Sequence, residues 1–288
     1  MFNIKTLNAI AEKGLDELKA ENCAVSPERG APDALLIRSA KLHDAVFNPE
    51  LLCIGRAGIG VDNIPVARCT AEGIAVFNTP GANADSVKEL LLCALTMASR
   101  DIVGAVEWVE SLAPEGDKIP ALVEKGKNAF AGPEISGKRL GVIGLGAIGV
   151  LVANAAVDLG MEVYGYDPYL SVKSAWDLSQ KVHHAAILDE IYDKCDYITI
   201  NVPAVDSTKG MINQDAIARM KDGVRILNFA RDVLVNDEDM AEALTKGKVK
   251  AYVTDFPNPK SAEMPGAIVL PHLGASTEEA EDNCAVMA

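Results

Sequence analysis

The run Leu140-Gly-Val-Ile-Gly-Leu-Gly-Ala-Ile-Gly149 constrains this chain more than any other stretch, because a short apolar segment passes directly into three glycines spaced G-x-G-x-x-G. A strand that turns this abruptly into a helix needs Gly144 for the reversal and Gly146 for the approach of backbone amides to a pyrophosphate. It also needs Gly149 for close packing of helix on strand. The helix N-terminus, at Ala147 and Ile148, then offers N–H groups and a positive partial charge to an anion. Glycines so spaced also close strand-to-helix turns that hold no ligand, so the residues further on matter. A second apolar run, Glu162-Val-Tyr-Gly-Tyr166, ends in Asp167, eighteen positions past Gly149, where a carboxylate for an adenosine ribose belongs. That carboxylate repels a 2′-phosphate and no Arg follows it closely, so the expected cofactor is NAD rather than NADP.

Strand-like runs recur along the chain, at 34–37, 51–54, 74–77, 140–143, 162–166, 197–202, 225–228, 250–254 and 267–270, separated by amphipathic stretches. This alternation predicts an α/β fold of parallel sheets with helical crossovers. A length of 288 residues and a hydrophobic content of 49% suffice for two cores. Two glycine turns, Gly55-Arg-Ala-Gly-Ile-Gly60 and the one after Ile143, indicate two doubly wound units in tandem. Between them Ser86-Val-Lys-Glu89 has the form of a capping box opening a long helix through Leu91, Leu95 and Met97. Residues 113–137 have weak periodicity and read as an irregular excursion, either an oligomer arm or a plain surface loop. A second capping box, Ser276-Thr-Glu-Glu279, starts a helix that reaches Ala288 without a stop signal, as expected of a chain cut short.

Charge and cysteine usage narrow the function. A net charge of −14 argues against nucleic acid or an anionic membrane as partner, since both require a basic face. An anionic substrate would then need a locally basic site. The six cysteines show no metal-ligand spacing and several lie in apolar runs, so free thiols, a reducing compartment and no metal site are expected. The N-terminus lacks the apolar core of a signal peptide, and the longest apolar run, near Leu90 to Met97, is too short to span a bilayer. A cytoplasmic protein is expected.

In doubly wound folds ligands bind beyond the carboxyl ends of the strands. The polar residues that follow apolar runs are Arg38, the 55–60 turn, Asn228-Phe-Ala-Arg231 and Pro271-His272. Hydride transfer between a carbinol carbon and a nicotinamide needs a proton relay on the oxygen and a cation on the α-carboxylate. Imidazole suits the first and guanidinium the second, which singles out His272 and Arg231. By pattern alone a His after a strand is more often a satisfied structural residue. His43, His183 and His184 read as surface positions.

The stretches Gly55-Arg-Ala-Gly-Ile-Gly-Val-Asp-Asn63, Phe77-Asn-Thr-Pro80, Gly144 to Gly149 with Tyr166-Asp-Pro168, Asn228-Phe-Ala-Arg231 and Pro271-His-Leu-Gly-Ala-Ser-Thr277 resemble the NAD-dependent D-2-hydroxyacid dehydrogenases. Within that family the chain is most similar to the short phosphoglycerate dehydrogenases, which lack a regulatory domain and its serine feedback. The resemblance covers nearly the whole chain. It implies a flavodoxin-like substrate domain built from residues 1–98 and 271–288, a Rossmann cofactor domain over 99–270, a cleft between them, and a homodimer formed through the cofactor domains. It further implies oxidation of 3-phospho-D-glycerate to 3-phosphohydroxypyruvate, the first step of phosphorylated serine biosynthesis. Alternatives are a glyoxylate or hydroxypyruvate reductase, another D-2-hydroxyacid dehydrogenase, or a dinucleotide-sensing binding protein.

By the same resemblance His272 is the acid/base and Arg231 holds the carboxylate and carbonyl. Amides around Ala57, Gly58, Ile59 and Gly60, with Asn78, bind substrate, and Arg38 and Arg56 bring charge for a phosphate. Gly144, Gly146, Ala147, Ile148, Gly149, Asp167, Pro203, Ala230 and Asp255 line the cofactor. In one place the chain departs from the family, which carries a Glu shortly after an Asp-aromatic pair to orient the histidine. Here the segment is Asp255-Phe-Pro-Asn-Pro259-Lys260-Ser-Ala-Glu263, with Pro259 or Lys260 at that place. Either another acid such as Glu263 reaches in, His272 works unassisted, or Lys260 has a catalytic role; the stiffness of Pro259 favours the last two.

Overall fold

The computed structural model describes residues 1–28 and 30–288. Among them, strands β1 (Asn3–Leu7), β2 (Ala24–Val25), β3 (Ala34–Ile37), β4 (Cys53–Arg56) and β5 (Ala75–Phe77) form one parallel sheet in the order β2-β1-β3-β4-β5. A second parallel sheet takes β6 (Arg139–Ile143), β7 (Glu162–Tyr166), β8 (His183–His184), β9 (Tyr197–Ile200), β10 (Val224–Asn228), β11 (Val249–Thr254) and β12 (Ala267–Val269). Its order is β12-β11-β10-β9-β6-β7-β8. The helices are α1 (Glu12–Ala20), α2 (Val66–Ala71), α3 (Ala84–Ser99), α4 (Ile102–Ser111), α5 (Ile119–Gly126), α6 (Ala147–Asp158), α7 (Val172–Asp177), α8 (Leu188–Lys194), α9 (Gln214–Arg219), α10 (Asp237–Thr245), α11 (Pro259–Ala262) and α12 (Glu278–Met287). Both orders are doubly wound. The first reverses between β1 and β3, the flavodoxin-like arrangement, and the second between β6 and β9, the Rossmann arrangement.

Helices on both faces explain why inner strands such as β9 are buried on both sides. All four residues of β9 are buried, whereas β1 alternates, with Ile4 and Thr6 buried and Lys5 between them half exposed. That alternation hid β1 from a search for apolar runs, although it lies inside its sheet.

The chain divides into two compact units, Met1–Val87 with Ala275–Ala288, and Lys88–Gly274. The C-terminal segment belongs to the first because α12 lies hard against α1: a Cβ on Gly14 would sit 2.5 Å from the backbone of Ala285. The first seam falls after Val87 rather than after residue 98, because the end of α3 is tied to the second sheet. Ser99 Oγ and the Tyr197 hydroxyl are 2.7 Å apart, and Arg225 Nε donates to the Ala98 carbonyl at 2.7 Å.

Other expectations need correction. The helix α3 starts at Ala84, so Ser86 lies inside its first turn, buried, and is no cap. The cap of α12 is Thr277, whose Oγ1 accepts from Ala280 N at 3.1 Å, one residue later than expected. Residues 113–130 are largely helical: 3-10 turns at Ala113–Lys118 and Lys127–Phe130 flank α5. Pro114, Pro120 and Gly116, at φ +53°, break the 3.6-residue period there and make helix look like loop.

No helix among the described residues is long and apolar enough to cross a membrane.

Candidate active site

At the end of β6 Gly144 adopts φ +91°, and a Cβ there would lie 2.6 Å from the Asn201 carbonyl oxygen. A Cβ on Gly149 would lie 1.9 Å from the Gly144 carbonyl oxygen, so neither position accepts a side chain. Gly146 differs. It is the N-cap of α6, no side chain caps that helix, and a Cβ there would meet nothing within 4 Å. The amides at the start of α6, around Ala147 and Ile148, therefore face open space. Asp167 closes one side of the turn, its Oδ2 accepting from Leu145 N and its Oδ1 from Tyr169 N, both at 2.8 Å. Pro203 stands exposed on the other side, in the loop after β9, its carbonyl accepting the Thr208 hydroxyl at 2.6 Å.

Further along the same sheet, Asn228 ends β10 fully buried and fixes the loop that follows. Its Oδ1 accepts from Ala230 N at 3.2 Å and Arg231 N at 3.4 Å, while its Nδ2 donates to the Arg231 carbonyl at 2.8 Å. The Arg231 guanidinium donates to the Ala230 carbonyl at 2.6 Å, and its Cζ lies 5.6 Å from the centre of the Phe256 ring. His272 follows β12 at φ +51°, a left-handed conformation that non-glycine residues seldom take. Its imidazole lies 4.6 Å from the same Phe256 ring.

Asp255, one residue earlier, is only 1% exposed. Its Oδ2 accepts from Gly274 N at 2.9 Å, and its Oδ1 has no partner among the described residues. Burial pushes its carboxyl pKa up, opposed in part by the Gly274 N–H and by the charges of His272 and Arg231. The structure thus gathers Arg231, His272 and Asp255 around Phe256. Phe256 is not among the site residues expected from sequence; its place beside Asp255 is the available signal.

Lys260 is not brought to this cluster. Asn258 caps α11 and donates from Nδ2 to Asp237 Oδ2 at 2.9 Å, which docks α11 at the start of α10. Lys260 Nζ consequently pairs with Glu238 Oε1 at 2.8 Å, with both side chains exposed. Glu263 is also exposed. Among the described residues the His272 imidazole forms no hydrogen bond or ion pair, so neither candidate stands in for the family's Glu.

In the first unit, the loop after β3 carries Arg38. Asn8 Oδ1 accepts from Arg38 N at 3.3 Å, Ser39 N at 3.1 Å and Ala40 N at 2.8 Å. Arg38 Nη1 pairs with Glu281 Oε1 at 2.7 Å. Ile37 and Arg56 are register partners in β3 and β4, so Arg38 and Arg56 leave adjacent strand ends. The Arg56 guanidinium lies over Gly58, where a Cβ would come 1.7 Å from Nη1. Ala57 N is spent on the Ile37 carbonyl at 2.8 Å, which removes it from the expected anion-binding amides. The N–H groups of Gly58, Ile59 and Gly60 bond to no carbonyl among the described residues. Asn78 braces that loop by donating to the Ile59 carbonyl at 2.7 Å.

Residues 92–274, nearly the whole second unit, match the family described as D-isomer specific 2-hydroxyacid dehydrogenase, NAD binding domain. The chain belongs to the D-isomer-specific 2-hydroxyacid dehydrogenases. The chain is 38% identical to the D-3-phosphoglycerate dehydrogenase of Mycobacterium bovis over 259 residues, covering 87% of this chain and 46% of that one. It is 37% identical to the hydroxypyruvate reductase of Thermotoga maritima over 261 residues, covering 86% of this chain and 80% of the reductase. The chain spans about half the length of the phosphoglycerate dehydrogenases it matches. Its fold resembles that of NAD⁺-bound 3-phosphoglycerate dehydrogenase from Entamoeba histolytica, with a TM-score of 0.77 and 23% identity, covering 99% of this chain and 92% of the other.

The residues present fit NAD. The open N-terminus of α6 suits a pyrophosphate, Asp167 a ribose, and the unpartnered, buried Oδ1 of Asp255 an amide N–H.

Proposed function

We propose that this dehydrogenase oxidises 3-phospho-D-glycerate to 3-phosphohydroxypyruvate with NAD, the reaction that commits carbon to phosphorylated serine synthesis. The observation that carries the reading is the gathering of Arg231 and His272 on one ring, at the carboxyl ends of β10 to β12 in the NAD-binding unit. Bound NAD supplies the hydride acceptor. His272 Nε2 or Nδ1 takes the proton of the substrate hydroxyl as the C–H electron pair leaves, and returns it in the reverse direction. Arg231 holds the α-carboxylate bidentately and polarises the forming carbonyl. In the first unit the amides of Gly58, Ile59 and Gly60 are the groups assigned to an anionic substrate. Gly144, Gly146, Ala147, Ile148, Gly149, Asp167, Pro203, Ala230 and Asp255 hold the dinucleotide. Lys260 has no part in this reading, so Lys260→Ala is expected to leave kcat within about twofold in a steady-state assay.

Arg38 and Arg56 support a phosphorylated substrate, because they concentrate positive charge at neighbouring strand ends of a chain whose net charge is −14. One observation favours a second reading, an unphosphorylated substrate such as hydroxypyruvate or glyoxylate: Arg38 is already paired with Glu281. NADH oxidation with the three keto acids tests both. Preference for 3-phosphohydroxypyruvate by about tenfold or more in kcat/KM, lost in Arg56→Ala, is the expected result. Equal rates with hydroxypyruvate assign the second reading, and NADH binding without turnover of any of the three leaves a dinucleotide-binding protein.

A homodimer formed through the NAD-binding units is part of the proposal, and α4, considered below, supplies its surface.

A further inference from the structure

We propose that Phe256 is the positioning residue for both Arg231 and His272, doing for the imidazole what the family's Glu does elsewhere. The inference rests on the reading that these two side chains perform the chemistry. An imidazole on a single Cα–Cβ stem has two free torsions, and among the described residues no hydrogen bond or ion pair fixes them; the Asp255 carboxylate acts on the ring only through its charge. Something must hold the ring if it is to meet a substrate oxygen within a few tenths of an ångström. The ring packs on Phe256, at 4.6 Å between centroids and 45° between planes, within the range in which tilted aromatic pairs attract. The guanidinium lies 5.6 Å from the same ring, a cation–π distance.

Phe256 is itself fixed on both sides. Its N–H donates to Thr254 Oγ1 at 3.1 Å, and Thr254 is fully buried at the end of β11. The residue before it, Asp255, holds Gly274 N at 2.9 Å, and the Thr254 carbonyl accepts from Leu270 N at 2.8 Å. The segment that carries His272 is therefore stapled to the end of β11 before and after the histidine. That staple places the backbone, left-handed at His272, and the ring then places the side chain. The negative face of one benzene ring also offsets the mutual repulsion of a guanidinium and an imidazolium drawn close together.

The test compares Phe256→Leu, Phe256→Met and Phe256→Tyr with wild type and His272→Gln. Phe256 is half-buried, so Met can fill the volume without the ring. The leucine and methionine variants should lose about tenfold to a hundredfold in kcat while the NADH dissociation constant stays within about twofold, and the tyrosine variant should recover most of the rate. In the wild-type proton spectrum one set of imidazole signals, identified by its loss in His272→Gln, should be displaced by the ring current and return to the ordinary position in Phe256→Leu. Undisplaced His272 signals in wild type, or full kcat in both aliphatic variants, overturn the proposal while leaving the dehydrogenase reading intact. Full activity of His272→Gln instead removes the reading on which it rests.

Discussion

At the residue scale, two glycines of one motif serve different ends and can be separated by experiment. A methyl group on Gly149 would collide with the Gly144 carbonyl, backbone against backbone, so Gly149→Ala should cost about 1–3 kcal/mol in folding stability and be seen as a lower urea midpoint. Gly146 has an extended conformation that any residue accepts, and the space in front of it is open. Gly146→Val should therefore keep its midpoint nearly unchanged, yet weaken NADH binding by about tenfold or more, some 1.4 kcal/mol. Equal loss of stability in both would show that the open space is not a ligand site. Asp255 gives a prediction in pH. Its folded pKa is raised, so its contribution to stability is complete below the ordinary carboxylate value of about 4 and is lost as pH rises through the higher folded value. Asp255→Asn still accepts from Gly274 N but cannot ionise. Urea unfolding should thus find the variant gaining on wild type between pH 4 and pH 7, and a gap that stays constant or narrows would contradict the shift.

At the scale of the element, Asn8 shows how a loop end is made to order. It lies at the β1/β3 reversal at φ +78°, and one side-chain oxygen collects three consecutive amides, those of Arg38, Ser39 and Ala40. Asn8→Ala strands those amides and adds backbone strain, for an expected loss of about 1–3 kcal/mol with a raised KM for a phosphorylated substrate. Asn8→Asp, which keeps the acceptor, should lose less; equal effects in chemical denaturation would mean the clamp is idle. The same elements show what is legible in the sequence. Strands buried on both faces announce themselves by successive apolar residues, as Ile226 and Leu227 of β10 do, and the glycine turn by spacing. β1 did not, because Asn3 and Lys5 alternate with Ile4 and Thr6, and neither did β8, two exposed histidines on a sheet edge. Lys260 points away from Phe256 for a reason that its place along the chain does not show. The segment Asn258-Pro-Lys-Ser261 carries a cap and a first-turn proline, the marks of a new helix start, and that helix turns the lysine toward Glu238.

At the scale of the whole molecule, burial within one chain leaves α4 unexplained. None of its ten residues is buried, although the helix reads Ile-Val-Gly-Ala-Val-Glu-Trp-Val-Glu-Ser. Val106 and Val109 are exposed with Ile102 and Val103 beside them, and Ile102, Ala105, Val106, Val109 and Phe130 border a hollow of about 560 Å³ rimmed by Arg100, Asp101 and Glu110. The helix is nevertheless well fixed: Asp101 caps it, accepting from Gly104 N at 3.0 Å, and Trp108 packs on Phe130 at 5.2 Å and closely over Gly126. An ordered apolar face of this kind, rimmed by charge, marks an association surface. A second copy is the occupant that the proposed dimer requires. Two chains of charge −14 repel, but over distances that physiological salt screens beyond about 8 Å, so apolar contact decides the outcome there and low salt should loosen it. Sedimentation of the wild-type protein in physiological salt should give a dimer at micromolar concentration. Val106→Glu should give a monomer that still binds NADH, because among the described residues α4 shares no hydrogen bond with the glycine turn. A wild-type monomer at every concentration, or a dimer indifferent to a charge at Val106, would place any association elsewhere on the molecule.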